Sequence, residues 1–424
     1  MCRIRFSILL VTVVFVQSAS SADWLQFRGP LGAGVSKDTM LPTKFSATKN
    51  LKWKSKLPGR GASSPIVVGE KVFLTCFDGY GVREFGGEPG DLRRHLVCLN
   101  KADGKILWKK TVKPVLPEDT ARGFITGHGY ASSTPASDGK NIYVFFGKSG
   151  VLCYDLDGKQ VWKVSVGTGS DPRGWGSAAS PVLYKGLVII NAIVESERIV
   201  ALNKKTGKQA WEAKATGYGQ CWSTPILVNV KGNSELVINV PNEIWGLNPT
   251  NGKLRWYADV MPGGAMCTSP VAHEGVVYGI GGRRSGGAAI RLGGRGDVSR
   301  SHLVYTNDLG SYVTSPVVSG DHVYWVSDRG IATCINKKTG KEVYRRRLSG
   351  ARQLYASVTL ADGKIYAVTR YNGIFVIDAK PKFKVLAHNK LDDESLFNAS
   401  PVVVNGEILI RSDRYLYCIA AKKE

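Results

Sequence analysis

The chain has 424 residues, and 57 Lys and Arg against 34 Asp and Glu give a formal charge of +23 at pH 7. Its apolar runs are too short to cross a bilayer as a helix, which excludes an integral α-helical membrane protein. The positive charge predicts attraction to anionic partners, although a solvated basic surface would give the same count.

Residues 1–22 have the pattern of a secretory signal peptide. Arg3 and Arg5 precede an apolar run of eleven residues, Phe6–Val16, and small residues follow at 20–22. A charged start, a short apolar run and a small-residue cleavage site are the three parts of such a signal. We therefore expect an exported mature chain, residues 23–424, in the periplasm or outside the cell.

A repeat runs along the rest of the chain. A small hydroxyl residue followed by proline and β-branched residues recurs at 42- to 46-residue intervals from residue 134 onward, and Ser357-Val358 fills one slot without the proline. A fixed period of this length indicates a propeller or a solenoid. The proline-containing copies are Ser64-Pro65, Thr134-Pro135, Ser180-Pro181, Thr224-Pro225, Ser269-Pro270, Ser315-Pro316 and Ser400-Pro401.

Each repeat contains four short β-rich runs. Between Ser223 and Trp256 these are 225–228, 236–240, 244–247 and 254–256, separated by Gly, Asn and Pro. Runs of this length without helical periodicity predict strands. Four strands in about 45 residues are typical of one propeller blade.

The turn between the third and fourth strands carries the most distinctive motif. Its fullest form spans Ala201–Trp211, and related segments end at Trp108, Trp162, Trp256 and Tyr344. Asn or Asp starts the turn, Gly supplies a positive φ, and the final aromatic residue offers a large surface to bury. The motif, A-x-[DN]-x-x-T-G-K-x-x-W, is structural in every copy.

This motif resembles the tryptophan-docking repeat of the pyrroloquinoline-quinone-like (PQQ-like) β-propeller family. That family includes quinoprotein dehydrogenases and BamB-like outer-membrane assembly factors, and the BamB-like propellers are the nearer in style. The resemblance covers nearly all of the mature chain. It implies an all-β, eight-bladed propeller of four-stranded blades.

The ends of the chain are expected to meet in one blade. The last strand set, within residues 401–420, lacks a fourth strand, and an isolated fourth-strand sequence lies at Leu51–Leu57. An unpaired apolar edge favours aggregation, so residues 51–57 are predicted to close the eighth blade. The alternative is a free N-terminal β-segment.

The cysteines do not suggest a disulfide framework or a metal site. Cys98, Cys153, Cys334 and Cys418 occupy one equivalent third-strand position, and seven cysteines remain after signal cleavage. No C-x-x-C pair suggests zinc. Buried thiols are the expected form.

One face of the propeller is predicted to bind ligand. The loops after each fourth strand and those between second and third strands share this face, and two long insertions, Phe77–His95 and Lys113–Gly129, reach it. Arginine suits anions, and aromatic rings suit flat ligands. The alternative is that these arginines only pair with acidic residues of neighbouring blades. The predicted binding residues are Arg60, His128, Tyr130, Arg173, Trp175, Trp222, Arg283, Arg329, Tyr355 and Arg370.

Catalysis is not supported by the residue pattern. The family resemblance raises quinone-dependent oxidation with PQQ and calcium, but the adjacent cysteine pair common in such enzymes is missing, and Asn398 and Asp171 are only isolated candidates for its site. We therefore predict no catalytic residue, metal or cofactor. PQQ with calcium is the alternative, and a carbohydrate-active propeller is the second alternative.

The function predicted from the sequence is that of a binding or scaffold module for an anionic polymer, a peptide or a partner protein. The partner would be a protein or an anionic glycan or other envelope component, with no specific nucleic-acid binding and no membrane span. We expect the chain to be a monomer.

Overall fold

A computed structural model describes residues 23–82, 86–261, 263–282 and 286–421. The predicted signal peptide and Arg283 lie outside these ranges. Within them the strands form eight sheets, each built on four antiparallel strands, and the only α-helices are two single turns, α1 (Ile125–His128) and α2 (Ile193–Ser196). The predicted all-β, eight-bladed propeller is confirmed. No helix in the described ranges is long and apolar enough to cross a membrane.

The strands follow the repeat blade by blade. Strand β1 (Leu51–Lys56) precedes the first full blade. Blades 1 and 2 contain β2 (Ile66–Val68), β3 (Lys71–Asp78), β4 (Arg93–Asn100), β5 (Ile106–Val112), β6 (Ala136–Ser137), β7 (Asn141–Phe145), β8 (Val151–Asp155) and β9 (Gln160–Val164). Blades 3 and 4 contain β10 (Val182–Tyr184), β11 (Leu187–Ala192), β12 (Arg198–Asn203), β13 (Gln209–Lys214), β14 (Ile226–Val230), β15 (Asn233–Val240), β16 (Asn242–Leu247) and β17 (Leu254–Met261).

The second half continues this order with one addition. Blade 5 contains β18 (Val271–His273), β19 (Val276–Ile280), β20 (Gly287–Arg291) and β22 (Leu303–Asn307), while β21 (Gly296–Asp297) pairs in parallel with β17 of blade 4. Blades 6, 7 and 8 contain β23 (Val317–Ser319), β24 (His322–Val326), β25 (Ile331–Asn336), β26 (Glu342–Arg347), β27 (Thr359–Ala361), β28 (Lys364–Val368), β29 (Ile374–Asp378), β30 (Val385–Asn389), β31 (Val402–Val404), β32 (Glu407–Arg411) and β33 (Tyr415–Ala420). The 3-10 turns are Pro30–Gly32, Pro89–Asp91 and Gly147–Ser149.

The eighth blade is built from both ends of the chain. Strand β1 pairs antiparallel with β33, with Trp53 opposite Cys418 and Lys56 opposite Tyr415. This pairing gives the outer edge of β33 its hydrogen-bonding partner. The order of that sheet is β1-β33-β32-β31, so the ring closes through an N-terminal strand.

The fourth-strand tryptophans contact the turn of the following blade. The Trp53 indole N–H donates to the Lys101 carbonyl at 2.9 Å, and the Trp162 indole N–H donates to the Lys204 carbonyl at 2.9 Å. Gly104 lies against the Trp53 ring with φ +74°, and a Cβ there would be 2.5 Å from that ring. Glycine is required at this turn by its positive φ and by the close approach of the indole.

The segment before β1 crosses the face opposite the predicted binding face. Trp24 pairs with Val67 in blade 1, and Val35 pairs with Leu360 in blade 7. Arg28 between them is 2% exposed, and it donates to the carbonyls of Gly32, Ala33 and Pro316. Residues 24–35 therefore tie distant blades together and close the channel on this side.

The seven cysteines in the described ranges form no disulfide bond. Six are buried, and Cys267 is half-buried. Burial raises the pKa of the Cys98 and Cys334 thiols to about 12. A thiol with so high a pKa is a poor nucleophile at neutral pH, so these cysteines serve as small core residues.

Candidate functional site

The repeated hydroxyl residue forms a ring around the central channel. In seven successive steps, from Ser64 to Ser400, the hydroxyl of one blade accepts the backbone N–H of the equivalent residue in the preceding blade, at 2.9–3.0 Å. These bonds satisfy buried backbone donors where eight inner strands converge. The Ser-Pro and Thr-Pro repeats thus join neighbouring blades at the axis.

Inside this ring lies a cavity of about 140 Å³, which we call the channel cavity. Seven of the eight ring residues contribute to its wall, and Phe27 from the N-terminal segment forms its floor. Its upper end is lined by four aromatic residues. These are Phe124, Trp175, Trp222 and Tyr355.

The four upper aromatic residues form the roof of the channel cavity, with Phe124 at the centre. The Phe124 ring stacks on Trp175 with centroids 4.9 Å apart and on Tyr355 at 5.6 Å. Trp175 in turn stacks on Trp222 at 5.3 Å, and the Trp222 indole N–H donates to the Gly176 carbonyl at 2.6 Å. A continuous aromatic layer therefore covers the axis.

Phe124 is held over the axis by the insertion Lys113–Gly129. Buried ion pairs anchor its first half: Arg94 contacts Glu118 at 2.7 Å, and Lys148 contacts Asp119 at 3.1 Å. Its second half is anchored at the Gly127 carbonyl, which accepts bonds from Arg370 at 2.9 Å and from Asn398 at 2.8 Å. Breaking one partner of a buried ion pair is strongly destabilising, so the insertion is a fixed part of the fold.

Burial shifts the pKa of three ionisable groups in the loops of the predicted binding face. It lowers the pKa of His128 to about 4, so this imidazole is neutral at physiological pH. Its Nδ1 lies 2.7 Å from the Ser132 hydroxyl. Burial also raises the pKa of Glu195 to about 7 and that of Asp413 to about 6.

A second, more open feature is a groove of about 810 Å³ on the same face. It starts at the roof residues Phe124 and Tyr355 and runs along blade 6. Asp308, Asp328, Arg329 and Arg345 line it. Three further exposed arginines follow Arg345 on β26 and in the loop after it, and with the two groove residues they form what we call the arginine rim: Arg329, Arg345, Arg346, Arg347 and Arg352.

The structure brings four of the predicted binding residues together at the roof. His128, Trp175, Trp222 and Tyr355 all line the channel cavity. Arg173 is exposed beside them, with its guanidinium 4.9 Å from the Trp175 ring.

The other predicted binding residues are dispersed. Arg329 lies in the groove, and Arg60 lies 4.0 Å from Asp413. Tyr130 is buried beneath the insertion, where its hydroxyl donates to the Asp119 carbonyl, and Arg370 is 5% exposed and bonded to Gly127 and Gln353. Arg283 lies outside the described residues.

Several residues of the site were not found by sequence reasoning. Phe27 and Phe124 bound the cavity from segments that carry no repeat motif, and Arg345–Arg347 lie on a fourth strand rather than in a loop. One sequence signal could have indicated the arginines: three of them, Arg345–Arg347, directly follow Tyr344, the aromatic residue that ends this copy of the repeat motif. Nothing in the sequence marks the two phenylalanines.

Comparison with known proteins places the fold in a family. The family model described as outer membrane protein assembly factor BamB, a PQQ-like repeat model, matches residues 93–346. The chain belongs to this PQQ-like propeller family. The match spans blades 1 to 6, and the remaining blades continue the same strand order.

Individual relatives of this PQQ-like propeller have diverse names. It is 22% identical over 366 residues to tetrathionate hydrolase of Acidithiobacillus ferrooxidans, covering 78% of this chain and 68% of that protein. It is 23% identical over 326 residues to BamB of Shewanella oneidensis, covering 73% and 79%. Quinoprotein alcohol dehydrogenase PedH of Pseudomonas putida matches at 28% over 185 residues, which is 39% of this chain and 31% of that one.

Solved structures show the same architecture. BamB from Moraxella catarrhalis superposes with a TM-score of 0.58 at 12% identity, covering 88% of this chain and 97% of that one. A europium-containing methanol dehydrogenase gives 0.64 at 11% identity, with 94% and 98% covered. At such identities the likeness establishes the fold alone.

The residues of this PQQ-like propeller do not fit a quinone with calcium. Among the described residues, no Asp, Glu, Lys or Arg lines the channel cavity, and the Phe124 ring fills the space between Trp175 and Tyr355. The described residues contain no group of three or more His, Cys, Asp or Glu side chains able to hold a metal ion. PQQ is a tricarboxylate, and burying it here would leave its charges unpaired.

Proposed function

We propose that this PQQ-like propeller is an exported binding module whose groove holds an acidic segment of a partner protein. The observation that carries the proposal is the arginine rim, five exposed arginines in blade 6 and in the loop that follows its last strand. Two of its members, Arg329 and Arg345, line the groove itself. Export is supported by the signal-like residues 1–22.

The charges of the groove favour an anion. In the described part of the chain, the guanidinium groups of the arginine rim form no ion pair within 4.0 Å. One of the two groove carboxylates, Asp328, accepts the backbone N–H of Tyr312 at 3.0 Å. The planar guanidinium binds carboxylates in a bidentate manner, so unpaired arginines beside a groove suit a chain of Asp or Glu residues.

The inner end of the groove favours a polypeptide. Phe124, Tyr312 and Tyr355 are gathered there, with the Phe124 and Tyr312 rings 6.1 Å apart. Aromatic residues and arginine are the residue types enriched at the centres of protein interfaces. Two BamB proteins among the similar proteins, described as an assembly factor in one case, agree with a role in protein assembly.

The test uses a fluorescein-labelled peptide of glutamate residues and fluorescence anisotropy. Replacing Arg329 and Arg345 together by Ala removes two charges from the groove, and we expect about 5- to 30-fold weaker binding. The matched control replaces Arg291, the last residue of β20, and Arg300, which lies shortly before β22; both are exposed arginines of blade 5, so the change in net charge is the same. The control variant should bind nearly as well as the natural chain.

If both double variants weaken binding equally, the peptide responds only to net charge and the groove is not the site. Raising the salt concentration will weaken either kind of binding because it screens exposed charges. Salt dependence therefore cannot replace the comparison between the two double variants. The ratio of their affinities decides the proposal.

A further inference from the structure

We infer that the channel cavity binds a small uncharged ring molecule that carries hydrogen-bonding groups. This site is separate from the groove and does not depend on the function proposed above. The cavity lies inside the ring of Ser and Thr side chains, with Phe27 at its floor and the aromatic roof above. The cavity is lined by aromatic and hydroxyl side chains, whereas the arginine rim is positively charged, so the two sites favour different ligands.

The hydroxyl groups of the cavity wall are available to a ligand mainly as hydrogen-bond donors. Each bonded hydroxyl of the ring already accepts a backbone N–H from the preceding blade. A hydroxyl has one proton to donate and two acceptor positions. Since the N–H uses an acceptor position, the proton is left to donate, and the wall can donate hydrogen bonds to a ligand.

Two acceptor atoms in the lining have no hydrogen-bond partner among the described residues. Asn398 is 7% exposed and Ser64 is 2% exposed, and within the described part of the chain neither the Asn398 Oδ1 nor the Ser64 Oγ has a hydrogen bond. The bond from Asn398 Nδ2 to the Gly127 carbonyl fixes the orientation of this amide. A buried acceptor without a donor costs about 1–3 kcal/mol, and a donor group on a ligand would relieve that cost.

The two ends of the cavity are apolar and flat. Phe27 closes one end, and the stacked rings of Phe124, Trp175 and Tyr355 close the other. Aromatic faces contact a flat ring over a large area with little loss of conformational entropy. A ring molecule with polar substituents at its edge would match aromatic ends and a hydroxyl wall.

Charge and size narrow the ligand class further. In the part of the chain that the structure describes, the cavity lining contains no Lys, Arg, Asp or Glu, and the half-buried His128 is neutral because burial lowers its pKa to about 4. A charged ligand would lose its hydration without gaining an ion pair. A cavity of about 150 Å³ can hold benzene, and the 140 Å³ here is nearly the same volume.

The direct test compares benzyl alcohol with benzoate and benzylamine, which share one ring and differ in charge. We expect benzyl alcohol to bind in ligand-observed NMR titrations, and the two charged compounds to bind at least tenfold more weakly. Val313 lines the cavity, whereas Val343 is 39% exposed on β26. Val313→Phe should weaken benzyl alcohol binding at least tenfold, and Val343→Phe should leave it unchanged.

A second readout needs no variant. Cys267 lines the channel cavity and is the one half-buried cysteine among the seven in the described ranges. Benzyl alcohol should slow the reaction of Cys267 with N-ethylmaleimide in the natural chain, as located by peptide mass spectrometry, and benzoate should not. This measurement keeps the inference testable if Val313→Phe fails to fold.

The inference is wrong if benzyl alcohol does not bind, if benzoate binds as tightly as benzyl alcohol, or if the two valine variants bind alike. Binding with no protection of Cys267 would place the molecule elsewhere and would also overturn it. The glutamate-peptide experiment reports on the groove, so its failure would leave these outcomes unaffected.

Discussion

Glu195 shows how burial alone can make a side chain sensitive to pH. The carboxylate is 4% exposed, and burial is the main cause that raises its pKa from 4.5 to about 7, with the nearby Asp119 adding to the rise. The Ser177 hydroxyl donates to it and opposes the rise. The folded state therefore binds this proton more tightly than the unfolded state, and the contribution of Glu195 to stability falls as pH rises from about 4.5 to 7.

Glu195→Gln should remove that loss because glutamine is neutral at every pH and keeps an acceptor for Ser177. Relative to the natural chain, we expect the variant to gain about 1–3 kcal/mol in the free energy of unfolding between pH 5 and pH 8. Urea unfolding at both pH values measures the difference. Glu342→Gln, at an exposed position on β26, is the control and should show no such gain. An equal stability difference at both pH values would contradict the prediction.

The insertion Lys113–Gly129 is the element that decides access to the channel cavity. Its second half is attached through one backbone carbonyl, that of Gly127, which two side chains bind. The Arg370 guanidinium also lies 4.2 Å from the Tyr355 ring and so supports the roof. This arginine acts inside the protein as an anchor for the insertion.

Arg370→Met should loosen the insertion while leaving the blades intact, since methionine retains the apolar stem but cannot donate to Gly127. We expect amide hydrogen exchange to accelerate at least tenfold within residues 120–128, with little change in β28 and β29. Hydrogen exchange with mass spectrometry gives both quantities. Arg352→Met, at an exposed arginine in the loop between β26 and β27, is the matched control. Uniform acceleration through blade 7 would show that Arg370 supports the blade rather than the insertion.

The whole ring depends on the first part of the mature chain in two ways. Strand β1 supplies the outer strand of blade 8, and residues 24–35 connect blade 1 to blade 7 across the opposite face. A closed ring has no free end at which a blade can unfold independently. Losing one closure should therefore affect every blade.

Starting the chain at Gly59 should destabilise all eight blades together, by several kcal/mol, rather than loosening blade 8 alone. A chain that starts at Asn50 retains β1 and loses only the crossing segment, and it should show a smaller loss. Unfolding midpoints and hydrogen exchange resolved by blade distinguish the two. Exchange confined to β31–β33 in the shorter chain would contradict the prediction.

The sequence predicted the fold more completely than it predicted the residues of the site. The eight-bladed architecture followed from the repeat because strand periodicity and turn residues are short-range signals, carried within about ten residues of each other. The site depends on contacts between distant residues. Arg370 and Gly127 are 243 positions apart, and no local pattern shows that one is bound to the other.

By itself the sequence determined the repeat, the number of blades, the strand pairing within each blade and the position of the segment that closes the ring. All of these depend on the order of apolar, glycine and hydroxyl residues along the chain. Only the tertiary structure decided which arginines remain exposed, that Phe27 and Phe124 close the two ends of the channel, and that the hydroxyl repeats form one ring. Those outcomes depend on which side chains eight converging blades bring within bonding distance, and that proximity is a property of the closed ring rather than of any single repeat.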